Sequence, residues 1–274
     1  MAYNRIRDLN EYEALVQNYR NKGVLTNNYM LTDEVACYIS MNKLFYHHTE
    51  HNAVILLEKE TCFRVYYYIN DLAEKIFLSS DYSYAIEILY RGDSFYPEKE
   101  ALYWQDCGFT PHFIRDFYVA KYSDIRLVKR ETYDVSIQYA STLDDVLYAI
   151  RLFNRLFDSY TGDYLDESLA PSLFQGRNIL LAYCGGMRKG ACHFYEKNKV
   201  VYLGHLAVEA DARGKKIGSL LMNTMIDATA VDDKSRYALW VQRQNEGAIK
   251  LYQAIGYKYN NKSTISLLNL KKEL

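Results

Sequence analysis

The second half of the chain alternates between two hydrophobic periodicities. Val135–Ala140 carries apolar residues at every second position, the pattern of a half-buried strand. Thr142 and Asp145 then form a capping-box-like start, and Val146, Ile150, Phe153 and Phe157 follow at helical spacing. A polar turn (Asp158–Asp163) leads to a second short helix near Glu167–Phe174, with Pro171 early in it. Asn178–Tyr183, Gly190–Tyr195 and Lys199–Val208 read as three strands joined by turns at Gly185-Gly186 and Lys197-Asn198. The third is apolar in both registers, as for a strand covered on both faces. A helix over 217–230 places Ile217, Leu220, Leu221, Met225 and Ala228 on one stripe. Leu239 and Val241 alternate as in a strand, Asn245 is a good N-cap, and Ala248, Leu251, Tyr252 and Ile255 recur on one helix face closed by Gly256.

One junction in this pattern is chemically odd. Leu206-Ala207-Val208 ends a strand, and Arg213, Lys215 and Lys216 crowd the start of the next helix. The helix dipole disfavours cations there, and a purely structural helix would prefer Asp, Glu or a Ser cap. The arrangement makes sense if an anion sits in the turn, held by backbone N–H groups and enclosed by the cations, with Gly214 and Gly218 letting the backbone approach. Neither G-x-x-x-x-G-K-[ST] nor G-x-G-x-x-G is present.

Two motifs together resemble the GNAT acyltransferase superfamily. Arg213-Gly214-Lys215-Lys216-Ile217-Gly218 is similar to its [Q/R]-x-x-G-x-[G/A] coenzyme A loop, with Lys216 in place of the middle glycine. Leu239 to Tyr257 matches L-x-V-x-x-x-N-x-x-A-x-x-L-Y-x-x-x-G-[F/Y] at every position. The resemblance covers residues 133–274 and implies the order β-α-α-β-β-β-α-β-α-β. It also implies acetyl-CoA as cosubstrate and direct acyl transfer to an amine. The backbone of Leu206, Ala207 and Val208 would hold the pantetheine arm and polarise the thioester carbonyl. Arg213, Gly214, Lys215, Lys216, Ile217, Gly218 and Ser219 would take the pyrophosphate, Asn245 would face the arm, and Tyr252 would protonate the departing thiolate. Some family members carry a Glu base where this chain has Tyr202, which leaves Glu196, His205, Glu209 or a water relay as bases. His205 also reads as a satisfied core histidine. Asp158, Asp163, Asp166 and Glu167, with Tyr160 and Tyr164, form either an acceptor wall for a cationic amine or a solvated acidic loop.

The first half looks like a worn copy of the second. Glu100–Phe109 resembles Ala248–Tyr257, and superposing Gly108 on Gly256 gives an offset of 148 positions. That offset puts Trp104 on Tyr252, Pro97 on Asn245, and Val65–Asp71, without glycine or cation, on the phosphate loop. Strand-like runs at Lys43–His47, Ala53–Leu57 and Cys62–Ile69 support the repeat. The expected class is therefore α/β (α+β), with two GNAT-like domains, each a mixed, mostly antiparallel twisted sheet flanked by helices. The expected bounds are 1–125 for a degenerate domain without a CoA loop and 133–274 for an N-acetyltransferase domain, with a boundary in Lys121–Tyr133.

Composition narrows the partners. A formal net charge of −1 over 274 residues gives no nucleic-acid or membrane footprint. No run approaches the ~18 apolar residues of a membrane span, and the start of the chain is charged rather than signal-like, so a cytoplasmic protein is expected. Its five cysteines lack C-x-x-C and read as small buried hydrophobes, and His47, His48 and His51 read as a hairpin end rather than a metal site. The expected partner is a small-molecule or peptide amine, with a homodimer left open. Two rival functions are a catalytically silent CoA-binding module and a transferase taking aminoacyl groups from tRNA. The latter would favour a basic surface that the balanced charge does not supply.

Overall fold

The computed structural model describes residues 3–127, 134–161 and 164–271. Part of the expected boundary (128–133) and Asp163 of the acidic loop lie outside the described residues. The chain forms two compact units, Met1–Ile114 with Ser263–Leu274, and Arg115–Lys262.

The first unit contains β1 (Asn4–Arg5), α1 (Leu9–Tyr19), β2 (Leu25–Thr26), α2 (Thr32–Ser40), β3 (Leu44–His48), β4 (Ala53–Glu58), β5 (Phe63–Ile69), β6 (Tyr84–Tyr90) and α3 (Glu98–Asp106). The strand β7 (Thr110–Lys121) follows and enters the second unit at Arg115. That unit continues with β8 (Val135–Tyr139), α4 (Leu143–Leu156), α5 (Ala170–Gln175), β9 (Ile179–Cys184), β10 (Met187–Lys197) and β11 (Val200–Val208). It ends with α6 (Ile217–Thr229), β12 (Arg236–Gln242), α7 (Glu246–Ile255) and the start of β13 (Lys258–Asn269). Short 3-10 turns at Glu167–Leu169 and Ala210–Ala212 precede α5 and α6.

Each unit is a mixed, mostly antiparallel sheet. In the first the order is β1-β3-β4-β5-β6-β13, and only β5 and β6 run parallel. In the second it is β7-β12-β11-β10-β9-β8, and only β11 and β12 run parallel. Each sheet is finished by a strand from the other half of the sequence. Ser263–Asn269 of β13 pair with β6, and Arg115–Lys121 of β7 pair with β12. Burial follows this exchange: Ile265 and Leu267 join the first core, Tyr118 and Ala120 the second. The compact bodies thus run differently from the bounds 1–125 and 133–274.

Helices cover both faces of each sheet. In the first unit, Ala101, Tyr103 and Trp104 of α3 pack on one face, while Leu15 of α1 and Val35 of α2 pack on the other. In the second, α6 and α7 cover one face, and α4 with α5 the other. The helix α4 starts where its sequence indicates, Thr142 Oγ1 accepting the Asp145 N–H at 3.1 Å and Asp145 accepting the Thr142 N–H at 3.2 Å. Gly256, at φ +120°, ends α7 where a Cβ would lie 2.3 Å from the Asp124 carbonyl oxygen, so both conformation and close approach require glycine.

Three expectations need correction. Ala228 is exposed, and the buried stripe of α6 runs through Met222 and Ile226 instead, because the helix presents a broader face to the sheet. Of the cysteines, Cys37 is exposed and Cys184 half-buried. Finally, Val65–Asp71 falls in β5 and the turn after it, and residues 70–83 contain no helix. The offset of 148 therefore matches α3 with α7 and β7 with β13 but not β5 with β11, since the first unit lacks a counterpart of α6 between its parallel strands.

Candidate active site

The site begins where two strands part. Parallel pairing of β11 with β12 runs from Val200/Arg236 to Leu203/Leu239 and stops. Both strands continue, because their outer edges remain paired: β11 with β10 to Val208, and β12 with β7 to Gln242. From Gly204 to Val208 the inner edge of β11 therefore carries peptide groups without a strand partner, the situation that admits an extended ligand as an added strand. A cavity of about 470 Å³ opens there, lined by Gly204, Leu206, Ala207 and Val208 on one side and Trp240, Val241, Gln242 and Asn245 on the other. Leu206 and Val208 of β11 are half-exposed because they line this opening at the margin of the core under α6 and α7.

The cavity adjoins a second of about 500 Å³, which shares Leu206, Val208, Arg213, Gly247, Ala248 and Tyr252 and extends to Gly214, Lys216, Gly218 and Ser219. The start of α6 forms its far end. No side chain caps this helix, and its first ladder bond is Leu220 N–H to Lys216 C=O at 3.0 Å, so the N–H groups of Ile217, Gly218 and Ser219 have no carbonyl beneath them. Gly214 at φ +81° and Lys216 at φ +56° turn the chain into the helix through left-handed geometry. This explains why the motif favours glycine at the Lys216 position: only glycine adopts that geometry without strain. Arg213 and Lys215 are exposed, and Arg213 makes no ion pair among the described residues. Gly218 sits against the groove wall, with a notional Cβ 3.3 Å from Leu251 Cδ2.

Tyr252 stands at the junction of the two cavities on the inner face of α7. Its ring is 7% exposed, and its hydroxyl makes no hydrogen bond among the described residues. Burial, with Cys192 nearby, pushes its pKa well above the ordinary tyrosine value, so it keeps its proton at any physiological pH. Asn245 caps α7, its Oδ1 accepting the Ala248 N–H at 3.1 Å, and its NH₂ makes no hydrogen bond among the described residues. Sequence reasoning missed Trp240, Gln242, Leu156, Phe157 and Arg115, which also line the opening. Trp240 and Gln242 could have been found from strand parity with Leu239 and Val241. Arg115 had no signal, because it arrives through the strand exchange.

None of the three candidate bases lines either cavity. Glu196 is exposed on β10. Glu209 is gripped by Arg155 at 2.7 Å and approached by the Tyr148 hydroxyl. His205 is buried, lies on the ring of Phe153, and shares an Nδ1–Nδ1 hydrogen bond of 3.1 Å with His193. Burial and the neighbouring His205 lower the His193 pKa to about 3. The acidic loop folds largely on itself: Asp158 accepts the N–H groups of Tyr160 and Thr161, Asp166 accepts that of Ser168, and Glu167 pairs with Arg151.

The first unit shows what became of the same opening in the other half. Its parallel pair β5/β6 also parts early, after Arg64/Ala85. Here β2 pairs antiparallel with β5 through Leu25/Ile69 and Thr26/Tyr68, and Asn27 enters the gap. The Asn27 Oδ1 accepts the Tyr67 N–H at 2.8 Å, and its Nδ2 donates to the carbonyls of Val65 and Glu87 at 3.0 and 3.1 Å. The chain's own amide thus bridges both strands. At the position facing Tyr252 in the repeat stands Trp104, fully buried.

Comparison with known proteins agrees with this geometry. Residues 139–257 match the acetyltransferase (GNAT) family. An uncharacterised N-acetyltransferase of Methanocaldococcus jannaschii is 33% identical over 63 residues, 23% of this chain and 28% of that protein, so the match spans little more than a quarter of the relative. A GCN5-related N-acetyltransferase of Sphaerobacter thermophilus shares the fold with a TM-score of 0.60 at 13% identity, covering 81% of this chain and 77% of its own. A tandem GNAT protein from the clavulanic acid biosynthesis pathway does so with a TM-score of 0.52 at 11% identity, covering 84% of each chain. Residues 139–257, in the C-terminal half of the chain, thus belong to the GNAT acetyltransferase family, and the match does not extend to the N-terminal half. No helix among the described residues is long and apolar enough to cross a membrane.

Proposed function

We propose that the C-terminal unit transfers an acetyl group from acetyl-CoA directly to a primary amine of a small molecule or peptide. The observation that carries this reading is the parted β11/β12 pair, with an unpartnered tyrosine hydroxyl inside it and an uncapped helix start at its end. The α6 N–H groups, with Arg213 and Lys215, suit the pyrophosphate. The free edge of β11 suits the amides of the pantetheine arm and orients the thioester. In the transfer, the amine nitrogen bonds to the thioester carbon and the C–S bond breaks. The sulfur takes the Tyr252 proton, while the proton lost by nitrogen leaves to water. With no carboxylate or histidine among the cavity-lining residues, the amine must arrive neutral or lose its proton through water.

That missing base favours one alternative, a CoA-binding module without turnover. Screening amines and peptides with acetyl-CoA by thiol release separates the two. Release that depends on one acceptor class supports transfer, and tight CoA binding with no acceptor-dependent release supports the silent module.

A further inference from the structure

The first unit holds a cavity of about 250 Å³ beside its bridged strands. Asn27 lies at its base, Glu34 of α2 at its side, and Arg64, Tyr66, Glu87 and Thr264 come from β5, β6 and β13. Because Asn27 already joins the two strand edges, a pantetheine arm has no free edge to follow here, and the cavity is not a second acyl-transfer site.

Two of its polar groups lack partners among the described residues. Arg64 pairs with Glu87 through Nη1, but its Nη2 is buried without a hydrogen bond. Thr264 is 9% exposed, and its Oγ1 is likewise buried without a partner. An unanswered buried donor destabilises the folded chain, and native structures rarely keep two in one cavity wall without a role for them. The surrounding charge restricts what could answer them. A simple anion would meet the carboxylates of Glu34 and Glu87 beside the single guanidinium. A simple cation would leave Arg64 and Thr264 unanswered.

We propose that this cavity binds a small zwitterion of the α-amino-acid kind, its carboxylate received by Arg64 and Thr264 and its ammonium by Glu34. The first unit then acts as a ligand-binding partner to the acetyltransferase unit, with no chemistry of its own.

Titration calorimetry of the full chain with the twenty amino acids tests this, with acetate and methylammonium as single-charge probes. At least one amino acid should bind one per chain, and both probes should bind at least tenfold more weakly. Thr264→Val keeps the shape and removes the hydroxyl, so it should weaken that binding about tenfold, the effect of losing ~1.4 kcal/mol. Arg64→Met should abolish it, and if that variant fails to fold, Thr264→Val decides alone. Three results would overturn the proposal: no amino acid binding at millimolar concentration, acetate binding as well as the amino acid, or undiminished affinity in Thr264→Val. The last would place any bound amino acid elsewhere, the acceptor site of the other unit included.

Discussion

Replacing Tyr252 by Phe separates catalysis from packing more sharply than any other single change. A buried tyrosine kept for structure has a hydroxyl with a partner, and losing that bond costs ~1 kcal/mol. The Tyr252 hydroxyl has no such bond among the described residues, and its ring is packed between β-sheet and α7 in a way that Phe preserves. Stability should therefore hold or rise slightly. In a chain of this size ~1 kcal/mol moves Tm by ~2–4 °C, so a fall of less than about 2 °C is expected. Loss of a general acid lowers rate by ~10²–10⁴-fold, which is ~2.7–5.5 kcal/mol of transition-state stabilisation. Burial keeps the proton on Tyr252 above pH 10, so wild-type kcat should show no alkaline fall below that pH. Thiol release, acetyl-CoA titration and a thermal melt on this variant settle the matter. Near-full kcat would refute the catalytic role whatever the melt shows.

Other variants test the surrounding geometry. Lys216 holds a left-handed conformation that costs ~1–2 kcal/mol, while glycine loses ~0.4–1 kcal/mol through the unfolded chain. Lys216→Gly should thus be more stable by up to ~1.6 kcal/mol and keep acetyl-CoA affinity within a few-fold; complete loss would make the side chain an anchor. Gly256→Ala should lower stability by more than ~2 kcal/mol, since it meets the Asp124 backbone and must hold a positive φ; an unchanged melt would dispute that turn. The depressed pKa of His193 means that the folded state refuses a proton the unfolded chain accepts. Its contribution is present above about pH 6.5 and lost as pH falls toward 3, so acid melts should drop across that window and drop less in His193→Gln.

Much of the C-terminal half is legible in the sequence. Capping at Thr142 and Asn245, the alternation of β8 to β12 and the glycine after α7 are local signals, and local signals fix local elements. The turn into α6 stood out in the sequence because three cations contradict a helix dipole, and the structure shows that helix start without a side-chain cap. What stayed hidden was long-range. Nothing in the residues around Arg115 or Ser263 announces that β7 and β13 exchange units, because strand pairing depends on partners far along the chain. Asn27 is a single polar residue in an unremarkable turn, and its place between two strands emerges only when β2 is seen to pair with β5. β11 is covered on both faces, as its sequence indicates, with Val201 and Leu203 in one core and Ala207 in the other, but that Leu206 and Val208 also wall a groove was not legible.

The most direct test of the account is calorimetric titration of acetyl-CoA into the intact chain and into Gly218→Glu. Gly218 lies at the start of α6 with a notional Cβ 3.3 Å from Leu251 Cδ2, so glutamate would put bulk and negative charge where the pyrophosphate is expected. The account expects one acetyl-CoA per wild-type chain and none in the folded variant. Two sites per chain, or unchanged affinity in Gly218→Glu, would contradict it.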